Sequence, residues 1–406
     1  MKLLSAEAWM THPGAFVALW TDSHHAYALY EPDELVAVAL HEGTYPALAH
    51  AQANWFQRLA RDLNGHVATG FEDPRTAIEQ FRTSDGHAPW PEFSGPVGEG
   101  VNQLALGPVY GLITEPVHFR AFVQGERILK LQTRLGYAHR GVLGMMRGKS
   151  PRQAARYAAR VTGDATVALS LAFARAAESA LGCEVPARAL SLRAVMTGVE
   201  LLAGHCGGLA EIAAAIGDAL MESRFAVLRE YFCAAAQVAF GHRLMMDLVV
   251  PGGVAVDIAA SGPEAVQDAL RVLEAELPAL KRRFESPAVQ ERLAGVGAVA
   301  QRGQARLDGL YVIMNQIRVD LAALAVGMVA VTLPHETGMG IGRAESHRGP
   351  VWVWLALVNG QIQDVFVADA SCRLWPILEA WAIDASLAQI PLMVAALALS
   401  CASVDL

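Results

Sequence analysis

The hydrophobic pattern changes character along the chain. Near the start it comes in short blocks, Phe16-Val17-Ala18-Leu19-Trp20, Ala26-Tyr27-Ala28-Leu29-Tyr30 and Leu35-Val36-Ala37-Val38-Ala39-Leu40. Blocks of this length, divided by a polar turn such as Thr21-Asp22-Ser23-His24-His25, read as strands. From Tyr45 to Leu63 the spacing becomes helical, with Leu48, Ala51, Trp55, Leu59 and Leu63 on one stripe. These elements predict a small α/β unit over residues 1–92. Pro89 to Gly100 is rich in proline and glycine and reads as a linker. Residues 101–135 read as strands and turns.

Beyond that point helical spacing takes over. Ser150 to Leu181 repeats Ala, Leu and Val at three and four. A helix follows Pro186 to about Gly204, and Gly207-Gly208 is expected to separate it from a helix through Met221. Phe225 to Met246, Pro263 to Arg283 and Arg306 to Met328 read as further helices, with Pro251-Gly252-Gly253-Val254 as a break. Together they predict a central helical bundle. Gly338-Met339-Gly340-Ile341-Gly342 reads as a flexible turn and not as a nucleotide loop, because no strand-to-helix pattern surrounds it. Val351 to Val358 and Val365 to Ala368 form a hairpin around Asn359-Gly360. A last helix runs from Pro376 to Ala388. The fold class is α+β, mainly α, with residues 93–406 as a second, larger domain.

Composition sharpens this picture. The 406 residues are 53% hydrophobic and 18% charged, more apolar than an ordinary soluble chain, which suits a subunit that buries surface against partners. The longest apolar runs, such as Leu321 to Leu333, fall short of the roughly 18–20 residues that a bilayer span needs. Met1-Lys2-Leu3-Leu4-Ser5-Ala6-Glu7 lacks the layout of a secretory signal, so a bacterial cytoplasmic location is expected. Net charge is −8 and no Lys/Arg-rich run stands out, which argues against nucleic acid as a partner. Cys183, Cys206, Cys233, Cys372 and Cys401 form no C-x-x-C, and each reads as a small buried apolar residue. His24-His25 reads as a solvated turn, since two ligands do not hold a metal.

Several motifs carry a family resemblance. Trp55-Phe56-Gln57-Arg58-Leu59-Ala60-Arg61-Asp62-Leu63-Asn64-Gly65 resembles the W-x-E-R-x-x-x-D-L-x-G signature of the 30 kDa-type subunit of complex I, with Gln57 in place of glutamate. Gly107-Pro108-Val109-Tyr110, Glu115-Pro116-Val117-His118-Phe119-Arg120, Gly136-Tyr137-Ala138-His139-Arg140-Gly141 and Arg160-Val161-Thr162-Gly163-Asp164-Ala165 follow. Val185-Pro186-Ala187-Arg188-Ala189, Glu200 with His205, Phe240-Gly241-His242-Arg243 and Glu345-Ser346-His347-Arg348-Gly349 complete the set. In combination they resemble the large subunit of group 4 [NiFe] hydrogenases, the hydrogenase-4 and formate hydrogenlyase type, and the related 49 kDa subunit of complex I. The resemblance implies a truncated 30 kDa-like module over 1–92 and a hydrogenase-large-subunit-like domain over 93–406.

The chemistry that usually accompanies this scaffold is altered. A [NiFe] centre needs four thiolates. The resemblance places two at Thr162 and Ala165 and two at Ser400 and Ser403, so all four sulfurs are missing and no metal is expected on this chain. The glutamate of H-R-G-x-E becomes Leu143, which cannot relay a proton. The quinone-facing histidine of complex I becomes Tyr110, and its quinone tyrosine becomes Gly163. Asp164 is a candidate buried acid, or a carboxylate paired with Arg160 or another arginine. Arg140 and His205 resemble groups that approach the proximal 4Fe-4S cluster of a partner subunit, and Arg348 resembles the active-site arginine. The implied partners are a small iron–sulfur subunit and ion-translocating, antiporter-like membrane subunits, in a hetero-oligomer peripheral to the membrane. Three roles remain open: redox or mechanical coupling in such a complex, reduction of a quinone or other small oxidant through Tyr110, Asp164 and Arg348, and a redox-inactive scaffold.

Overall fold

Strand blocks, helical periods and turn residues resolve into a mixed α+β fold that is mainly helical. The structure, a computed structural model, describes residues 1–73, 75–78, 93–109, 111, 113–294 and 296–406. Chain packing groups them into two compact units, Met1–Arg140 with Ala370–Leu387 and Ser400–Leu406, and Gly141–Asp369 with Ala388–Leu399.

In the first unit the three expected strands are present as Phe16–Thr21, His25–Tyr30 and Glu34–Ala39, antiparallel in sequence order. Lys2–Leu3 adds a parallel edge. Asp22 organises the His24-His25 turn by accepting both backbone N–H groups at 2.7 Å. The helix begins later than its apolar stripe suggests, at Ala53 instead of Tyr45. Thr44–Pro46 instead pairs parallel to Val67–Thr69 and buries Tyr45. Helix Ala53–Asn64 packs on the sheet, with Phe56 edge-on to Phe16 at 5.7 Å. Buried Gln57 holds both ends of the Leu48 backbone, accepting its N–H at 2.8 Å and donating to its carbonyl at 3.3 Å. An ionised glutamate at that position could only accept. Residues 93–100 form neither helix nor strand and lie within the first unit, and 89–92 lie outside the described residues. A second antiparallel sheet follows, Val101–Leu106, His118–Gln124 and Arg127–Arg134. Helix Ser371–Trp381 starts five residues earlier than proposed, and Pro376 is tolerated within it.

The second unit is a helical bundle with one meander. Ser150 opens helix Pro151–Ala158 with a capping box to Gln153. The single helical stretch expected to Leu181 is interrupted, because 159–165 turns before helix Thr166–Leu181. Helix Ala187–Ala215 runs straight through Gly207-Gly208. Those glycines are packing sites and not breaks: a Cβ on Gly208 would meet Arg306 Nη1 at 2.5 Å, and one on Gly204 would meet the His347 ring at 2.5 Å. The actual break is Gly217, at φ +70°, before helix Ala219–Phe240, whose end is Gly241 and not Met246. Helices Gly262–Phe284, Gly297–Ala322 and Ile390–Leu397 complete the bundle. The second of these starts and ends earlier than Arg306 to Met328.

The glycine-dense segment is not a turn. Gly338–Ser346 is a strand, antiparallel to Gly349–Val358, which pairs in turn with Gln361–Ala368 through the expected Asn359-Gly360 turn. Gly338, Gly340 and Gly342 face the backbone of helix Thr166–Leu181, where Cβ atoms would lie 2.0–2.1 Å from the carbonyls of Ala180, Ala176 and Ala172. Period two on the strand meets period four on the helix, so the two backbones touch. This contact fixes the position of the strand end that carries His347 and Arg348.

Candidate functional site

Arg348 sits in the two-residue turn between the first two strands of that meander. Ser346 Oγ accepts the Arg348 N–H at 3.2 Å and donates to the Gly349 carbonyl at 2.9 Å, which locks the turn. The Arg348 side chain is fully buried between two carboxylates. Nη1 donates to Asp164 at 2.6 Å, and Asp369 lies 3.4 Å from Nε. Burial alone would lower the guanidinium pKa, but Asp369 and Asp164 hold it above its ordinary value. Asp369 is buried, whereas the Asp164 side chain is 45% exposed and is the part of the network open to solvent. Thr162 Oγ1 also donates to Asp164, at 2.6 Å. Burial tends to raise the Asp164 carboxyl, yet Arg348, His347 and Thr162 hold it well below the usual carboxylate range.

Two imidazoles lie beside this network. His347 Nε2 lies 3.3 Å from Arg348 Nη1, a donor, and 3.5 Å from Asp164 Oδ2, an acceptor. Its Nδ1 is buried without a hydrogen-bond partner. Burial first, then Arg348, pushes the His347 pKa down to about 3. His205 is held down to about 4 by burial and Arg306, and its Nδ1 also lacks a hydrogen bond. Arg306 spends its donors on the Ala395 and Ala396 carbonyls at 3.2 and 3.0 Å, at the end of helix Ile390–Leu397. A cation there complements the helix dipole.

Glu200 closes the other side. It accepts the N–H groups of Val167 and Ala168 at 2.6 and 2.8 Å, satisfying the start of helix Thr166–Leu181. A cavity of about 30 Å³ lies between Glu200, Asp164, Gly163, Gly204, Cys233 and Arg243. It has room for little more than a water or two.

In the first unit the tail is held by two carboxylates. Glu115 accepts from Ser400 Oγ at 3.2 Å, from Ala402 N at 3.0 Å and from Cys401 N. Ser403 Oγ donates to the Ser400 carbonyl at 3.3 Å. Asp405 is fully buried and accepts the Gly136 and Ala138 N–H groups at 2.8 Å each. Burial pushes its carboxyl up to about 6. His139 Nδ1 lies 2.6 Å from the Asp405 carbonyl.

Comparison with known proteins shows what this chain is similar to. The profile of the respiratory-chain NADH dehydrogenase 49 kDa subunit matches residues 218–308. The chain is 28% identical to hydrogenase-4 component G of Escherichia coli over 273 residues, covering 60% of this chain and 48% of that one. It is 26% identical to formate hydrogenlyase subunit 5 of the same organism over 286 residues, covering 64% and 50%. The fold is similar to a chain of the membrane-bound sulfane sulfur reductase, an archaeal respiratory membrane complex, with a TM-score of 0.71 at 18% identity over 77% of this chain and all of that one. The chain is similar to the large subunits of group 4 hydrogenases and carries a segment of the complex I 49 kDa family. It spans about half the length of the curated relatives it matches.

Within this chain the candidate residues fall into two groups. Asp164, Thr162 and Arg348 come together, and His205 belongs to the same unit with Arg306 as its charged neighbour. Ser400, Ser403 and exposed Arg140 belong to the first unit. Tyr110 lies outside the described residues. Asp164 pairs with another arginine, Arg348, one of its two expected roles, while Arg160 pairs with Asp247 at 2.5 Å. Cys206, Cys233, Cys372 and Cys401 are buried as expected, whereas Cys183 is half-exposed.

The donors present at these positions do not fit a nickel–iron pair. The hydroxyls of Thr162, Ser400 and Ser403 are neutral donors already engaged within the protein, and Ala165 offers a methyl group. None supplies the soft anionic sulfur that such metals take. Sequence reasoning missed His347, Asp369, Glu115, Arg306 and Asp405. His347 and Glu115 lay inside quoted motifs and could have been weighed. Nothing local marks Asp369.

Proposed function

We propose that this protein is a nickel-free large subunit of a membrane-associated complex related to hydrogenase-4 and complex I. In this reading it docks on a small iron–sulfur subunit, whose 4Fe-4S cluster faces Arg140 and His205. It couples that subunit to ion-translocating membrane subunits on the cytoplasmic side. The 1–92 module and the 93–406 domain are read as the 30 kDa-like and large-subunit-like parts. The observation that carries the proposal is the state of the four ligand positions: three hydroxyls spent on Asp164, Glu115 and a backbone carbonyl, and one methyl group. That no described helix is long and apolar enough to cross a membrane is compatible with peripheral attachment through partners.

A second reading, reduction of a quinone or another small polar oxidant, is favoured by one feature. Arg348 Nη1 at 2.6 Å and His347 Nε2 at 3.5 Å stand behind the solvent-open carboxylate of Asp164 as a fixed cation and an imidazole. Such groups would hydrogen-bond an oxidant's oxygen. The test is metal analysis of the native complex together with hydrogen uptake. Iron without nickel, and no hydrogen oxidation, is the expected result. Stoichiometric nickel would sink the proposal. Quinone-dependent turnover that falls in Arg348→Ala while iron content holds would favour the second reading over coupling alone.

A further inference from the structure

Between Glu126 and Asp164 the chain carries nine Lys and Arg residues and no Asp or Glu, although its net charge is −8. These cations are spaced and form no run, so they escape a search for basic clusters. The fold gathers the later ones on the second unit. Arg147 is neutralised by Asp364 at 2.7 Å and Arg160 by Asp247 at 2.5 Å. Lys149, Arg152 and Arg156 have no carboxylate partner among the described residues. Arg152 and Arg156 are exposed, and Tyr157 carries Arg156 and Lys149 over its ring at 5.2 and 5.8 Å.

Beside these cations runs a groove of about 700 Å³. One wall is Ser150, Pro151 and Arg152, and the other is the extended segment from Met328 to His335. Its apolar lining includes Met328, Val331, Leu333 and Pro334, and Met328 is 67% exposed. Val326, at the same end of that segment, is 97% exposed. The groove lies in the size range of small-molecule sites. An apolar channel with Arg152 in its wall, and Arg156 one helical turn further along the same helix, matches a ligand with an anionic head and a hydrocarbon tail.

We propose that this face binds an anionic phospholipid of the membrane surface. Arg152, Arg156 and Lys149 take the phosphate head, and the Met328–Pro334 segment takes the acyl chain. Charge complementarity decides the occupant. A chain of net charge −8 is repelled as a whole by an anionic membrane, so attraction has to come from a local patch. The inference rests on the membrane association proposed above but not on the absence of nickel. Lipid binding and nickel content are separate measurements, so either can fail alone.

The test is flotation of the full-length protein with vesicles of phosphatidylcholine alone or containing phosphatidylglycerol. Binding only to the anionic vesicles, weakened by salt, is expected. R152E/R156E should lower the bound fraction at least about tenfold. Met328→Ser should weaken the binding that persists at high salt. Both variants alter exposed positions, and an unchanged circular-dichroism melting curve confirms that they fold. Equal binding to both vesicle types, no binding to either, or unaltered binding by R152E/R156E would overturn the proposal. So would full competition by inorganic phosphate, which would mean that the cations act without the groove. Protection of Arg152 and Arg156 from chemical modification in the delipidated complex, with no vesicle binding by the chain, would assign the face to an acidic protein partner instead.

Discussion

Glu200 shows how much a single side chain can be asked to do. Its carboxylate is 8% exposed and satisfies two backbone N–H groups at the start of helix Thr166–Leu181. Burial raises its pKa from 4.5 to about 7, Asp164 acts in the same direction, and the N–H bonds from Val167 and Ala168 oppose them. The folded protein therefore holds this proton more tightly than the unfolded chain does. The resulting stabilisation is fully present below about pH 4.5 and is lost as pH rises through about 7. Wild-type protein should lose on the order of 3 kcal/mol over that window that Glu200→Gln does not lose. Urea midpoints of the two proteins across the window check this. Parallel profiles would mean that the carboxyl titrates alike in both states. That Thr162, Ala165, Ser400 and Ser403 carry no thiol is plain in the sequence, and only the resemblance makes them ligand positions. The pairing of Arg348 with Asp369 was not legible, because the two lie 21 residues apart and no local pattern joins them.

Elements were legible where the hydrophobic period alone sets them. Phe16–Thr21 and His25–Tyr30 follow from apolar blocks around a polar turn, and Asn359-Gly360 announces its hairpin. Glycine misled the reading because its two uses look the same in sequence. Gly217 ends a helix through positive φ, whereas Gly204 and Gly208 stay helical and make room for His347 and Arg306. Gly338, Gly340 and Gly342 make room for a whole helix backbone. This difference can be measured. Gly340→Ala would place its Cβ 2.1 Å from the Ala176 carbonyl, with no flexible side chain to yield. A loss of at least about 2 kcal/mol is expected from such overpacking. Gly163→Ala meets nothing within 4 Å and should stay within about 0.5 kcal/mol of wild type. Chemical denaturation of the pair separates them. Equal midpoints would mean that the strand can move off the helix at little cost.

At the scale of the whole chain, the first unit is assembled from three separate segments, and the last of these is only Ser400–Leu406. Short as it is, this tail has its N–H groups taken by Glu115 and supplies Asp405 to the Gly136 and Ala138 N–H groups. Val404 and Leu406 are buried with it, and the Trp375 indole donates to the Ser400 carbonyl at 3.4 Å. Removing residues 400–406 would leave the Glu115 carboxylate and the Gly136 and Ala138 N–H groups without their partners. Hydrogen bonds to charged groups contribute about 1.5–3 kcal/mol each, and buried donors left unmet cost a similar amount. The shortened chain should therefore be less stable by about 3–5 kcal/mol. Asp405→Asn retains an acceptor oxygen for one of the two N–H groups and should lose less. Urea unfolding followed by tryptophan fluorescence compares the three proteins. If the shortened chain unfolds at the wild-type midpoint, the segment from Gly136 to Arg140 is held by its own turn, and the tail only lies against it.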